Sequence, residues 1–169
     1  DMLARGQFDV SFDSAPQIDR FGNLNITAIG DYRRPKVRLV GCLAQPDHFA
    51  FVRRPIIITD LKKRTFVERV DFVTSAGYLE GGDSRTKAGL RPGGPWKVIT
   101  DKAVFGFDSE SKAMRLETLH PNVKLDEVLD VMGFRPVLPD TIGSTGPPTA
   151  EQVRLIRQEI DPNRVLLIA

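Results

Sequence analysis

The sequence has little of what most catalytic sites are built from. Its 169 residues hold one cysteine, Cys42, so no internal disulfide can form. A lone thiol suits a reducing compartment. The two histidines, His48 and His120, are 72 positions apart with no Cys-x-x-Cys pair, so no metal site is expected. No apolar run reaches the roughly 18 residues needed to cross a bilayer, and no secretory signal pattern opens the chain. G-x-G-x-x-G, G-x-x-x-x-G-K-[ST] and G-x-S-x-G are all absent. Neither a nucleotide-phosphate loop nor a nucleophile elbow is therefore supported. A net charge of +2 is too small to argue for nucleic acid. These absences predict a cytoplasmic protein with no membrane, nucleic-acid or permanently bound cofactor partner.

The charge that is present is unevenly spread. Residues 1–100 hold 16 Lys/Arg against 11 Asp/Glu, and residues 101–169 hold 8 against 11. A basic first part can favour a phosphorylated ligand. The pairs Arg33-Arg34 and Arg53-Arg54 and the run Lys62-Lys63-Arg64 read first as solvated surface, because neighbours on a strand face opposite ways. One residue from each group can still converge on a phosphate. The chain opens on Asp1 and then on residues 2–6, which read as a helix end stopped by Gly6. One domain over residues 1–169, lacking an N-terminal segment, is expected.

Phe8, Val10 and Phe12 alternate with Asp9, Ser11 and Asp13, the pattern of a half-buried strand. Further strands are predicted over residues 25–30, 37–41, 66–67, 70–74, 96–100, 103–108 and 114–119, the last two as a hairpin. Ile56, Ile57 and Ile58 form a β-branched run typical of a strand covered on both faces. Residues 76–95 carry six glycines and two prolines and predict a long irregular loop, which in a compact domain is usually functional or at an interface. Leu125, Val128, Leu129 and Met132 lie at i, i+3, i+4 and i+7, one apolar helical stripe ended by Gly133. A second helix starts at Thr149-Ala150-Glu151-Gln152, a capping-box pattern. Its predicted buried face is Val153, Ile156 and Ile160. The fold class is therefore α/β, strand-rich in its first two thirds and closed by helices.

Candidate functional residues are few. Cys42 follows Gly41 at a strand end, where α/β sheets place ligands. Packing as a small buried hydrophobe is its expected role, with nucleophile or pocket lining as the alternatives. Both histidines read as structural. The turn QIDRFGNLN, residues 17–25, concentrates Gln17, Asp19, Asn23 and Asn25. Gly22 permits the reversal and Asn23 suits its left-handed position. Asp19 and Asn23 are expected to serve the turn, while Gln17 and Asn25 either bond the neighbouring backbone or face a ligand.

Residues 17–25 with IGDYRRPKVR (29–38) resemble the B-type chain of family I CoA-transferases, especially the glutaconate CoA-transferase type. The likeness continues through KKRTFVERVDFVTSAGYLEGG (62–82), VITDKAVFGFD (98–108), LETLHPNVKLDEVLDVMGF (116–134) and PPTAEQVRLIRQEIDP (147–162). The resemblance implies an open, mostly parallel sheet of the CoA-transferase and sugar-phosphate-isomerase-like type with C-terminal helices. It also implies acyl-CoA as substrate, and assembly with an A-type subunit as a heterodimer or larger. The family's catalytic glutamate forms an acyl anhydride and then a glutamyl-CoA thioester, a covalent route. It lies upstream of the matched region, and the first glutamate here is Glu68. The family's glycine-rich loop against the thioester corresponds to Gly41-Cys42-Leu43-Ala44-Gln45-Pro46-Asp47, which keeps one glycine and gains a proline that donates no N–H. Gln17, Asn25, Gly41 and Cys42 are the candidate substrate- or CoA-binding residues. Relatives on this scaffold that lack the glutamate resemble ring-opening hydrolases or decarboxylases of CoA-linked acids. A partner subunit without catalysis of its own is the reading of another class.

Overall fold

Val98 lies at the centre of one continuous row of side chains. The computed structural model describes residues 2–166. In chain order its elements are β1 (Val10–Asp13), β2 (Gln17–Ile18), β3 (Leu24–Asn25), β4 (Ala28–Ile29), β5 (Val37–Arg38), α1 (Gln45–Phe51) and β6 (Arg54–Ile58). There follow α2 (Ser84–Lys87), β7 (Lys97–Ile99), β8 (Ala103–Phe107), β9 (Met114–Leu119), α3 (Leu125–Leu129), β10 (Gly143–Ser144) and α4 (Ala150–Leu155), which runs into a π-helical turn at Ile156–Ile160. Six strands form one sheet in the order β1-β6-β7-β8-β9-β10. The pairs β1/β6, β6/β7 and β9/β10 are parallel, and β7/β8 and β8/β9 are antiparallel. The α/β class with a mostly parallel sheet is thus observed, and β8/β9 is the expected hairpin.

The register aligns Asp13, Ile57, Val98, Phe105 and Leu116 across five strands. All five are buried. On this side the core also takes in Ile18, Leu24, Phe49, Phe66 and Val128. Burying one such large side chain contributes about 1.5–3 kcal/mol. The neighbouring row, Phe12, Ile56 and Lys97, lies on the opposite side. On that side Val10, Phe12 and Ile58 are 40%, 66% and 46% exposed, while Ile56 is covered, at 8%. Arg54 lies over the exposed Trp96 ring, 5.2 Å from its centroid. Strand β1 is half-buried as expected, but its polar residues Ser11 and Asp13 face the core and its apolar ones face out. The period of two specifies alternation without saying which side is covered.

Other expectations shift for local reasons. The strand predicted over residues 25–30 is broken into β3 and β4. The Asn25 side chain accepts from the N–H groups of Thr27 and Ala28, and this bends the chain. Residues 66–67 and 70–74 are not strands. Phe66 and Ser75 instead make single bridges to Ile18 and Leu24. Helix α3 is shorter than its stripe, yet Val128 and Met132 are buried as expected. Helix α4 has the predicted cap: the Gln152 N–H donates to the Thr149 hydroxyl, and the Thr149 N–H donates to Gln152 Oε1. Its predicted buried face is not buried, since Val153 and Ile156 are half-covered and Ile160 is 67% exposed. Nothing among the described residues packs over that stripe closely enough to bury it.

The glycine-rich loop is tied down rather than loose. Arg85 of α2 is 5% exposed and donates to the carbonyls of Ala76, Gly77, Arg91 and Phe49. Gly77 passes so close to Gly22 that a Cβ on it would strike the Gly22 carbonyl. The turn at residues 19–23 and this loop therefore share one packed junction.

Candidate functional site

The parallel strands β1 and β6 end side by side, and a groove of about 730 Å³ opens at their carboxyl ends. This is where open α/β sheets bind ligands, and the volume is within the usual range for small-molecule sites. Ser14, Ala15 and Pro16 form one wall directly after β1. Thr59, Asp60, Lys62 and Arg64 form another after β6. The small arm made of β3, β4 and β5 supplies Ile26, Ile29, Val37 and Val40. A second depression of about 450 Å³ shares Pro16, Ile26 and Val40 with the groove and adds Arg38 and Leu39. The joint surface has an apolar floor and three cations, Lys62, Arg64 and Arg38, around it. Asp60 accepts from Lys62 at 2.6 Å, and this partner holds the Asp60 carboxyl below its ordinary pKa. Beyond Arg38, the tip between β4 and β5 exposes Arg33, Arg34 and Lys36. Its turn is closed by Asp31, which accepts from the Arg33 and Arg34 N–H groups.

Gln17 lines the groove, Asn25 lies behind it, and the two bond each other. Asn25 Nδ2 donates to Gln17 Oε1 at 2.7 Å and to the Ala28 carbonyl at 2.7 Å. Gln17 Nε2 donates to Asp71, whose other contacts include the Gly30 N–H. Gln17 is 7% exposed and Asn25 is fully buried. Their side chains hold the arm against the sheet. Gly41 and Cys42 follow Val40 of the groove wall. Gly41, at φ +84°, donates its N–H to the Ile26 carbonyl at 2.8 Å, and the left-handed conformation favours glycine. Cys42 is exposed, which overturns the expectation that it packs in the core. It lies in the loop between β5 and α1.

Asp19 and Asn23 serve the turn as expected, but its left-handed residue is Gly22, at φ +68°, and not Asn23. Asp19 accepts from the N–H groups of Phe21 and Asn23 and from Asn23 Nδ2. Asn23 in turn bridges to the far loop, accepting from the Gly77 and Leu79 N–H groups and donating to the Leu79 carbonyl. Burial drives the Asp19 carboxyl above its ordinary pKa, while the bonds from Asn23 and Phe21 oppose the shift. Glu68 is on the same side of the molecule as this turn and pairs with Arg20 at 2.7 Å.

Gln45 is not singled out by the sequence, and His48 reads there as structural. Gln45 of α1 donates to the Ser14 carbonyl and accepts from Ser75. His48 of α1 is bonded through Nδ1 to Asp13 at 2.9 Å. The partners are 30 or more positions apart, and no local pattern announces them. His120 has both ring nitrogens engaged, by Thr145 and by the Thr100 carbonyl. No group of three or more His, Cys, Asp or Glu able to hold a metal is present among the described residues. No helix among them is long and apolar enough to cross a membrane.

Comparison with known proteins adds independent findings. The coenzyme A transferase family profile matches residues 2–130. The chain is similar to the B-type chain of 3-oxoadipate CoA-transferase from Pseudomonas knackmussii, 37% identical over 155 residues, covering 92% of this chain and 60% of that protein. It is similar to the B-type chain of glutaconate CoA-transferase from Acidaminococcus fermentans, 36% identical over 160 residues, covering 94% and 59%. The crystal structure of glutaconate CoA-transferase from the same organism superposes with a TM-score of 0.88 at 34% identity, over 95% of this chain and 61% of that one. The chain thus spans about three-fifths of the length of these relatives.

Proposed function

This chain belongs to the coenzyme A transferase family, and from that membership we propose that it forms the B-type part of an acyl-CoA-handling enzyme. The reaction is transfer of CoA between an acyl-CoA and a carboxylic acid. The observation that carries the reading is the groove at the ends of β1 and β6. Its apolar floor suits a pantetheine arm and an acyl chain. Lys62, Arg64 and Arg38 suit the phosphates of the nucleotide end, which cations hold by charge and hydrogen bonding. Gly41 and Cys42, beside the groove wall at Val40, are proposed to flank the thioester. Gln17, on the groove wall, and Asn25, behind it, are proposed to shape the site through the bonds described above.

The reactive glutamate of this reading lies outside the 169 residues. Glu68, already paired with Arg20, is not its substitute. The residues here belong to one domain of the B type, completed by a further segment of the same polypeptide and by an A-type chain, as a heterodimer or larger. A cytoplasmic setting fits the single exposed thiol of Cys42. The test is titration calorimetry of a CoA ester into the full-length protein assembled with its A-type partner, followed by borohydride trapping after incubation with acyl-CoA. Saturable binding and a trapped glutamyl thioester are expected. Absence of CoA-ester binding would overturn the reading.

A further inference from the structure

The arm of β4 and β5 carries more positive charge than the whole molecule has in excess. Residues 29–40 hold four cations, Arg33, Arg34, Lys36 and Arg38, against one acid, Asp31, a net of +3. The whole chain is +2, so everything outside the arm sums to −1. All four cations are exposed, and none is paired with a carboxylate among the described residues. Elsewhere Arg20, Lys62, Arg69, Lys87, Lys97 and Arg154 each have such a partner. Asp31 is spent inside the turn, on the Arg33 and Arg34 N–H groups at 2.8 and 3.0 Å. The cluster is also held in place. The Lys36 N–H donates to the Ile29 carbonyl at 2.9 Å and closes the hairpin. The Gly30 N–H donates to Asp71 at 2.8 Å, and counting that anchoring acid still leaves +2. The Tyr32 ring stacks on Phe72, 4.9 Å between centroids. Arg38 lies 5.1 Å over the Tyr32 ring and donates to the Tyr32 carbonyl at 3.1 Å. The charges are thus both unneutralised and fixed in position.

The same arm is a wall of the groove. Ile29 and Val37, opposite each other in the β4/β5 register, both line it. Lys36 and Arg38 are the chain neighbours of Val37, and Arg38 borders the second depression. Arg33 and Arg34 are no more than four residues from a wall residue, about 13 Å at roughly 3.3 Å per residue. That is close to the Debye length of about 10 Å at 0.1 M salt. Side chains so exposed add little to a closed contact, but their summed field reaches an anion before it touches. We propose that the β4/β5 arm is an electrostatic guide, which draws the phosphate-bearing end of an acyl-CoA to the groove and speeds its capture. This rests on the acyl-CoA reading given above. A CoA ester carries its 3′-phosphate and its diphosphate toward one end, so it arrives with that end facing the arm, and the apolar floor takes the rest. Charge used in this way acts on the association rate, whereas the contacts made in the groove set the dissociation rate.

The experiment uses the full-length protein assembled with its A-type partner, mixed rapidly with a CoA thioester of a fluorescent acyl group. The pantetheine thioester of the same acyl group, which has no phosphate, is the neutral control. The triple variant Arg33→Gln, Arg34→Gln, Lys36→Gln removes the tip charges and spares Arg38. At about 0.01 M salt, where the screening length is about 30 Å, its association rate with the CoA thioester should fall about tenfold or more, within the range that steering supplies. At about 1 M, where that length is about 3 Å, variant and wild type should associate equally fast. Dissociation rates and melting temperatures should match, and the pantetheine thioester should bind both proteins at the same rate. Equal association rates at low salt would overturn the inference. Faster dissociation with unchanged association would make the tip a grip on bound phosphate and overturn it too. Loss of the A-type chain from the variant on gel filtration would make the tip a subunit contact, with the same consequence. In all three cases the wild-type assembly still binds the CoA thioester and the transferase reading stands. A wild-type assembly that binds no CoA thioester would remove both.

Discussion

Arg85 reaches the carbonyl of Phe49 at 2.7 Å and so ties the glycine-rich loop to the end of α1. Its other donors hold Ala76, Gly77 and Arg91. Burial lowers the pKa of the guanidinium, with the Tyr78 hydroxyl opposing. A buried cation bonded to uncharged carbonyls is a junction, because removing it strands several acceptors at once.

Arg85→Leu is therefore expected to cost about 3 kcal/mol of stability, the order of magnitude for leaving buried acceptors unpaired. Arg85→Lys should recover part of this, because an ammonium cannot reproduce the planar fork. Urea unfolding of the assembled protein measures both. A midpoint unchanged in Arg85→Leu would contradict the junction role.

Asp19 gives a pH signature of defined sign. Its folded pKa is raised by burial, so the folded state binds the proton more readily than the unfolded one. The group's cost is full above the raised value. It is relieved as pH falls through that value toward the ordinary carboxylate range near about 4. Wild type should gain stability relative to Asp19→Asn over that window. At neutral pH the variant should itself be less stable by about 1–3 kcal/mol, because its amide turns an N–H toward Asn23. Thermal melts of both proteins across the window give the difference. A difference that does not vary with pH would refute the shift.

Lys62 and Arg64 belong to the groove, not to general surface. The double change Lys62→Ala with Arg64→Ala should weaken CoA-ester binding about tenfold, a change of about 1.4 kcal/mol. With dephospho-CoA esters the loss should be smaller if these residues meet the 3′-phosphate. Calorimetry at two salt concentrations checks this, since screening should shrink the effect. Equal affinities for wild type and variant would place the nucleotide elsewhere.

Cys42 is exposed, so Cys42→Ala should leave stability within about 0.5 kcal/mol. In the wild-type assembly its thiol should react with iodoacetamide, and a saturating CoA ester should slow that reaction. Unchanged alkylation in the presence of bound ester would separate Cys42 from the site.

What the sequence disclosed depended on distance along the chain. The Thr149–Gln152 cap lies within one helical turn, and the structure forms it as the residues imply. The Asp19–Asn23 turn is similarly local. The β-branched Ile56–Ile58 run does form strand β6, second from the sheet edge, yet Ile58 is 46% exposed. Alternation in β1 was legible, but its orientation was not. Which side of a strand meets the core is set by α1 and by residues beyond residue 60, and nothing within VSFD encodes that. The stripe of α4 failed for the same reason, because an apolar face needs a neighbour that periodicity does not supply. The Asp13–His48 pair spans 35 positions and no spacing rule reaches so far. The family likeness named Gln17 and Asn25 through a contiguous string, and those two bond each other, whereas Gln45 and His48 lie outside every such string.

The uncovered side of β1 and β6 has a thermodynamic consequence. Parallel strands are rarely left wet on one side, and whatever shields Val10, Phe12 and Ile58 binds the native state and not the denatured chain. Native-state ligation of this kind raises the melting point by mass action. If the proposed A-type chain is what covers this face, folding and association form a single linked equilibrium, in which the supply of that chain sets how much native protein persists.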